Sequence, residues 1–444
     1  MFARPGTPVA PSNSAGGVDR RWLILIPVAS LMYLVAYIDR TNISFILPFM
    51  GHDLNLSGAD KGFLSGIFFV GYLVLQVPAA ILAQRWSAKK TIFVLMLLWG
   101  AMAVVSGFVQ TKDQLFIARF ALGVFEGGVQ PAALVLLAAW FSQRQRARAN
   151  GLWLACLPIS AIIASPVTGM LLTNTDWRTV LIIEGLPPFV CAIAWIFLVS
   201  DKPNGARWMP AEAARSVAAE LAADEAGPKG VASVRYRDVL RNPKVWGLVA
   251  FWFLFNSGFY GFTLWLPTVV KGLSHGSSSL VGWLTAIPYL LALIGMITIA
   301  VIADRIGSRR WVIVVPVLIS AAGLLAGQFV GSQALQFVIL CIVAATLYIH
   351  GPFLAAPAVL LRVEVLALGL GLINGIGNLG GFLGPYAFGW LLDVTSSTKA
   401  GFFGIAGALV LASIVLLVVV PRTRPGSLTG PAEPVEQLSG RSTS

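Results

Sequence analysis

Between Trp22 and Val420 the chain is divided into about twelve apolar stretches separated by short polar turns, most of them near or above twenty residues long. About 20 apolar residues in a helix cross the hydrocarbon core of a bilayer. A helix satisfies its backbone hydrogen bonds within one segment, so in lipid each stretch is forced to be helical. The feature therefore predicts an all-α membrane protein of about twelve transmembrane helices. Six stretches lie in 22–200 and six in 245–420, with the longest polar interruption, 201–244, between them. This predicts two six-helix bundles, 22–200 and 245–420, joined by a cytoplasmic linker. In the linker, Pro210 to Asp224 reads as a surface helix ended by Gly227-Pro228. The tails, 1–21 and 421–444, are polar and rich in Pro, Ser or Gly, and read as disordered cytoplasmic segments.

Composition excludes a water-soluble alternative. Only 11% of residues are charged against 57% hydrophobic, too few to give each helix a solvated face. The formal charge of +12 does not point to nucleic acid, because the basic residues sit in turns between apolar runs. Placed with the N-terminus inside, the cytoplasmic turns hold Arg85, Lys89, Lys90, Arg144, Arg146, Arg148, Arg305, Arg309 and Arg310. The outer turns hold only Lys61, Lys112, Arg178, Lys271 and Lys399. Both termini are therefore expected in the cytoplasm of a multi-pass cell-membrane protein. Cys156, Cys191 and Cys341 all lie in apolar runs without ligand spacing, so no metal, disulfide or cofactor is expected. The run after Trp22 is too long for a signal-peptide core, and no cleaved signal is expected.

Four charged residues stand at membrane depth, where each ionised group costs roughly 2.5–3.5 kcal/mol on insertion scales. Asp39 and Arg40 lie in Tyr37-Ile38-Asp39-Arg40-Thr41-Asn42; Arg119 and Glu126 lie in the fourth stretch. Arg119 and Glu126 are two helical turns apart and share a face, whereas Asp39 and Arg40 diverge by about 100°. If the first and fourth helices face each other, an Asp39–Arg119 pair and an Arg40–Glu126 neighbourhood result. Two acids and two bases sum to zero, so an entering monoanion leaves one negative charge that a proton on Asp39 or Glu126 cancels. Anion and proton then raise each other's affinity. Arg40, with its two-pronged fork, is the expected carboxylate holder and Arg119 tunes the acids.

A second tier of polar residues completes the candidate site. Tyr37, Tyr72 and Gln76 offer donors to substrate oxygens; Tyr33 and Ser44 share helical spacing with Tyr37 and Arg40. Asn256 and Tyr260 share a face of the seventh stretch, and Asn374 and Asn378 share one of the eleventh. These are expected to meet the uncharged end of the substrate. Each is also a possible interhelical contact. His350 reads as a buried, hydrogen-bonded histidine or a proton relay.

Two loops repeat one order of residues. Gln84-Arg85 with Lys89-Lys90 follows the second stretch, and Asp304-Arg305 with Arg309-Arg310 follows the eighth. This resembles the loop signature of the major facilitator superfamily, although Gln84 and Ser87 stand where the first copy usually has an acid and a glycine. Three further motifs narrow the likeness: Tyr37 to Asn42 with Gly66 to Tyr72, Arg119 to Gly127, and Leu372 to Pro385. They resemble the anion:cation symporter family of organic-anion carriers, which includes tartrate, hexonate and phthalate permeases. The resemblance implies substrate recognition on Arg40, proton coupling on Asp39 and Glu126, and gating by Arg85, Asp304, Arg305 and Arg309. The expected activity is proton-coupled uptake of a small organic anion (a sugar acid, hydroxy dicarboxylate or aromatic carboxylate) by alternating access, in a monomer, with no enzymatic step. The alternatives are an exporter or uncoupled facilitator of the same fold, and a sensor that binds without transporting.

Overall fold

The computed structural model describes residues 19–225, 236–274, 276–306, 309–361 and 363–420. Expectations for 1–18, for 421–444 and for the Gly227-Pro228 break lie outside the described residues. Nine helical stretches among these residues are long and apolar enough to cross a membrane. One of them, Gly58–Ser106, is two spans, because the helix is interrupted at Ser87 by extended backbone and the chain reverses. With Arg310–Ala326 and the stretch 363–395, the total is twelve.

In order, the first half comprises spans one (Arg21–Asp53), two (58–82), three (Ala88–Ser106), four (Lys112–Ala138), five (Arg148–Asn174) and six (Trp177–Leu198). The second half comprises spans seven (Pro243–Ser274), eight (Ser278–Ala303), nine (Arg310–Ala326), ten (Gln333–Pro357), eleven (363–395) and twelve (Thr398–Val419). Each half has its own apolar core. Trp99, Trp140, Trp153 and Trp195 fill the first, and Phe251, Phe255 and Phe353 the second. Phe197, Ile193 and Ile297 stay more than half exposed on the periphery, as a lipid-facing surface requires. The linker holds a helix, Ala211–Glu225, that lies against the end carrying the termini. Arg21 pairs with Glu220 at 3.6 Å, and Asp224 accepts from the Gln143 amide at 2.7 Å.

Turns are capped where they leave the bundle. Ser57 and Asp60 form a capping box on span two, and Thr111 with Gln114 form one on span four. Asp176 caps span six by accepting from the Thr179 amide at 2.9 Å, and the hydrogen bonds from Thr179 hold its carboxyl below the ordinary carboxylate range. Of the four expected gating residues, only Arg85 and Arg305 have described side chains. Arg85 and Arg305 are exposed and enter no ion pair among the described residues, and the side chains of Asp304 and Arg309 lie outside those described. The first loop is fastened by Asp201 instead. It accepts from the Ser87 hydroxyl at 2.6 Å and the Lys89 amide at 2.8 Å.

The two halves touch at one end and part at the other. At the end away from the termini, span two lies on span eleven, and span five on span eight. A Cβ on Gly58 would sit 2.6 Å from the Gly389 carbonyl, and one on Gly282 would sit 3.0 Å from Pro166 Cα, so these backbones meet only because no side chain intervenes. Toward the terminal end the gap opens. Along spans two and eleven, a Cβ at Gly62 or Gly66 would overlap the backbone of Pro385 or Phe382, whereas one at Gly375 would reach Leu73 only at 3.8 Å. The molecule is therefore sealed at one end and splayed at the other, where the described residues begin and end.

Asp393 fastens the sealed end. Its two carboxylate oxygens, on span eleven, accept from the Gly58 and Ala59 amides at the start of span two, each at 2.7 Å. An anion on a helix N-terminus is favourable both as a cap and against the helix dipole. Replacing it by Asn removes the charge and one acceptor, a loss of about 1 kcal/mol, or roughly fivefold in the closed-to-open ratio. Asp393→Asn is expected to raise about fivefold the labelling rate of a cysteine placed at Ser65, probed from the sealed side with an impermeant maleimide. An unchanged rate would show that the cap does not hold this end shut.

Candidate functional site

The deepest charged residues meet where spans one, two and four of the first half face spans seven, eight and ten of the second. Arg40 sits one residue beyond Asp39 on span one, and the helical rotation between them sends the two side chains to different neighbours. Arg40 turns toward span four. Its Nε donates to Glu126 Oε1 at 3.1 Å, and a terminal nitrogen forms the ion pair with the same oxygen. Both groups are buried, with Arg40 7% and Glu126 1% exposed. The guanidinium is also ringed by aromatic faces, 4.8 Å from Tyr37, 5.0 Å from Phe68 and 4.9 Å from Tyr72. This cation–π cage replaces part of the lost hydration.

Asp39 turns the other way. Its Oδ2 accepts from Trp99 Nε1 on span three at 3.1 Å, and its Oδ1 has no partner. The anticipated Asp39–Arg119 side-chain pair is not formed: Arg119 donates to the backbone carbonyl of Asp39 at 3.1 Å, and its Nε is left without an acceptor. Arg119 is 2% exposed and lies 5.5 Å from the Phe68 ring. Glu126 Oε2 is likewise unpartnered. The core of the site thus carries one complete ion pair and three unused polar atoms, an arrangement with capacity for a guest.

A further acid, Glu184 on span six, belongs to the same region and does not stand out as a charged pair from the sequence. It is 5% exposed, its Oε1 accepts from Thr168 on span five, and its Oε2 has no partner. Asn42, one turn from Asp39, is buried beside this acid. The signal was present as a carboxylate seven residues beyond Trp177 inside an otherwise apolar run. Tyr72 also has a partner that was not anticipated: its hydroxyl donates to Gln130 Oε1 at 3.0 Å.

Between the halves lies a narrow central cavity with about 20 Å³ of enclosed space, room for about one water. Arg40, Arg119, Tyr37 and Tyr260 line it, so these four candidates are brought together. Other candidates are placed elsewhere. Asn256 is 1% exposed and donates to the Gly377 carbonyl at 3.1 Å and to Asn378 Oδ1 at 3.3 Å, tying span seven to span eleven. Asn256, Asn374 and Asn378 are not among the residues that line this cavity. Four-residue spacing places Asn256 and Tyr260 on one face of span seven, and that face meets span eleven at Asn256 and the cavity at Tyr260. Gln76 is half-buried one turn from Tyr72, toward the splayed end, and is also outside the cavity wall. Tyr33 packs on Trp153 at 4.4 Å. His350 stands in an aromatic nest of Trp252, Phe255, Phe259 and Tyr348, and its Nδ1 has no hydrogen-bond partner.

Comparison with known proteins agrees with this architecture. Residues 29–280 and 272–441 match the family model described as Major Facilitator Superfamily. The chain is 33% identical over 409 residues to an Agrobacterium vitis protein named "Putative tartrate transporter", covering 90% of both chains. It is 26% identical to the hexuronate transporter of Bacillus subtilis, covering 88% of this chain and 94% of that one. The partially occluded inward-open structure of the xylose transporter XylE from E. coli superposes with a TM-score of 0.73 at 14% identity, covering 91% and 98% of the two chains. That last likeness is one of fold.

Proposed function

The chain belongs to the major facilitator superfamily, and from that premise we propose that it is a proton-coupled symporter that takes up a small organic anion across the cell membrane by alternating access. The observation that carries this reading is the buried Arg40–Glu126 pair at the edge of the central cavity. A carboxylate arriving in the cavity and the Glu126 carboxylate compete for one guanidinium. Two anions on one buried cation leave an uncompensated charge, which is strongly disfavoured. A proton on Glu126 ends the competition, because neutral Glu126 releases the Arg40 fork to the substrate. Proton and substrate thereby bind together, and the linkage is reciprocal.

Arg119 has a larger part than tuning the acids. With its Nε free and its side chain on the cavity wall, it is the second donor to the substrate carboxylate. Asp39 orients Arg119 through its backbone carbonyl and keeps a free carboxylate oxygen near the network. Glu184 changes the charge count. Three buried acids face two arginines, so the empty site is neutral with one proton aboard and the monoanion-loaded site with two. One proton still moves per monoanion. Names of relatives such as the tartrate and hexuronate transporters support an organic-anion cargo. With both termini cytoplasmic, as the basic turns favour, the splayed end faces inward and this is the cytoplasm-open state.

The test is uptake into proteoliposomes containing the wild-type chain and the carboxylic acid that most raises its thermal stability in a panel. An acidic exterior is expected to drive accumulation of about tenfold per pH unit, since 1.4 kcal/mol is a factor of ten. A protonophore should abolish it. Accumulation driven equally by a sodium gradient at constant pH would refute the proton assignment.

A further inference from the structure

We infer that the carried anion is an aromatic carboxylate, its ring held among the aromatic side chains of the second half while its carboxylate rests on Arg40 and Arg119; this rests on the symport reading above. With Asn256 and Asn378 bonded between spans seven and eleven, the wall opposite the arginines is built from rings. Phe69 of span two meets Tyr260 at 4.3 Å between centroids, and Phe259 meets Tyr260 and Tyr348 at 5.1 Å each. Tyr289 closes the same side. The pairings are tilted or edge-on, so the lining is a continuous aromatic surface into which another ring fits by the same offset geometry.

The polar groups of the wall argue the same way. Among the described lining residues there is no amide, carboxylate or lysine, the side chains that would pair several hydroxyls at once. The small hydroxyls are already spent as donors along their own helices. Thr41 donates to the Tyr37 carbonyl at 2.9 Å, Ser44 to the Thr41 carbonyl at 2.6 Å and Ser65 to the Lys61 carbonyl at 3.0 Å. Tyr289 donates to the Thr263 carbonyl at 3.3 Å. A polyhydroxylated acid finds only the phenol hydroxyls of Tyr37, Tyr260 and Tyr348 to replace its water, and each hydroxyl left unmet weakens binding about tenfold. A planar ring with one carboxylate and at most one or two polar substituents loses little.

The deciding experiment compares benzoate, 4-hydroxybenzoate, cyclohexanecarboxylate, gluconate and tartrate as ligands of the purified full-length protein and as cargo in proteoliposomes under an acid-outside gradient. Benzoate and 4-hydroxybenzoate are expected to bind at least about tenfold tighter than gluconate or tartrate, with cyclohexanecarboxylate between. Phe259→Leu keeps an apolar side chain but removes a ring; it is expected to weaken benzoate about tenfold while leaving cyclohexanecarboxylate nearly unchanged. Tyr348→Leu should do the same and serves if the first variant fails to fold. Gluconate or tartrate accumulating with affinity equal to benzoate overturns the aromatic assignment and leaves symport standing, as does equal binding of benzoate and cyclohexanecarboxylate. If no carboxylate accumulates in response to the gradient, symport falls and the substrate assignment falls with it.

Discussion

Glu126→Gln protein in liposomes is expected to exchange external for internal substrate yet to accumulate none against a gradient. The amide oxygen of Gln still accepts from Arg40, so the geometry of the pair survives. What is lost is the change of charge. Wild-type Glu126 holds Arg40 when ionised and frees it when protonated, whereas Gln is always in the freeing state. Substrate therefore binds the variant without a proton, and both loaded and empty carriers reorient. The sign of the pH effect follows. In the wild type the proton and the anion bind together, so affinity for the anion is greatest at low pH and falls as pH rises, by up to about tenfold per unit for one linked proton. In Glu126→Gln that dependence should be flat. Uphill uptake by the variant, or an unaltered pH slope of binding, would move the coupling to Asp39 or Glu184.

The distinction between what could be read beforehand and what could not follows from the kind of information each feature needs. Span number and the division into halves depend on run length alone, and Arg40 and Glu126 betray themselves because an ionised group in an apolar run demands a reason. Helical periodicity made their meeting possible only on the condition that spans one and four face each other, and the same condition also allowed the Asp39–Arg119 side-chain pair, which is not formed. Helix rotation about its own axis is a different matter. Asn256 and Tyr260 share one face of span seven by spacing, yet at Asn256 that face meets span eleven and, one turn along at Tyr260, the cavity. Only the packing of all twelve helices decides between those faces. Glu184 escaped because it has no basic partner at helical spacing, and its neighbours Asn42 and Thr168 arrive from other spans. The aromatic wall escaped for a related reason: with 26 phenylalanines in the chain, a ring facing a cavity has the same local sequence as one facing lipid.

Arg40→Met should abolish uptake and lower stability together, and pairing it with Glu126→Gln should restore stability alone. Met retains the length and most of the stem packing between Tyr37, Phe68 and Tyr72, so the single change chiefly strands the Glu126 carboxylate, which is 1% exposed. Removing one partner of a buried pair costs about 3–5 kcal/mol, because the remaining charge is neither hydrated nor paired. Neutralising that charge in the double variant recovers most of the loss, and an uncharged pair of similar volume is often no less stable than the ion pair it replaces. Transport should stay absent in both. Arg119 alone offers the carboxylate one cation in place of two, and no group is left whose proton gates access to it. Thermal unfolding of the purified single and double variants, alongside uptake, separates the two roles. Recovery of uptake in the double variant would show that Arg40 serves the fold by answering Glu126 and that the substrate carboxylate is held elsewhere.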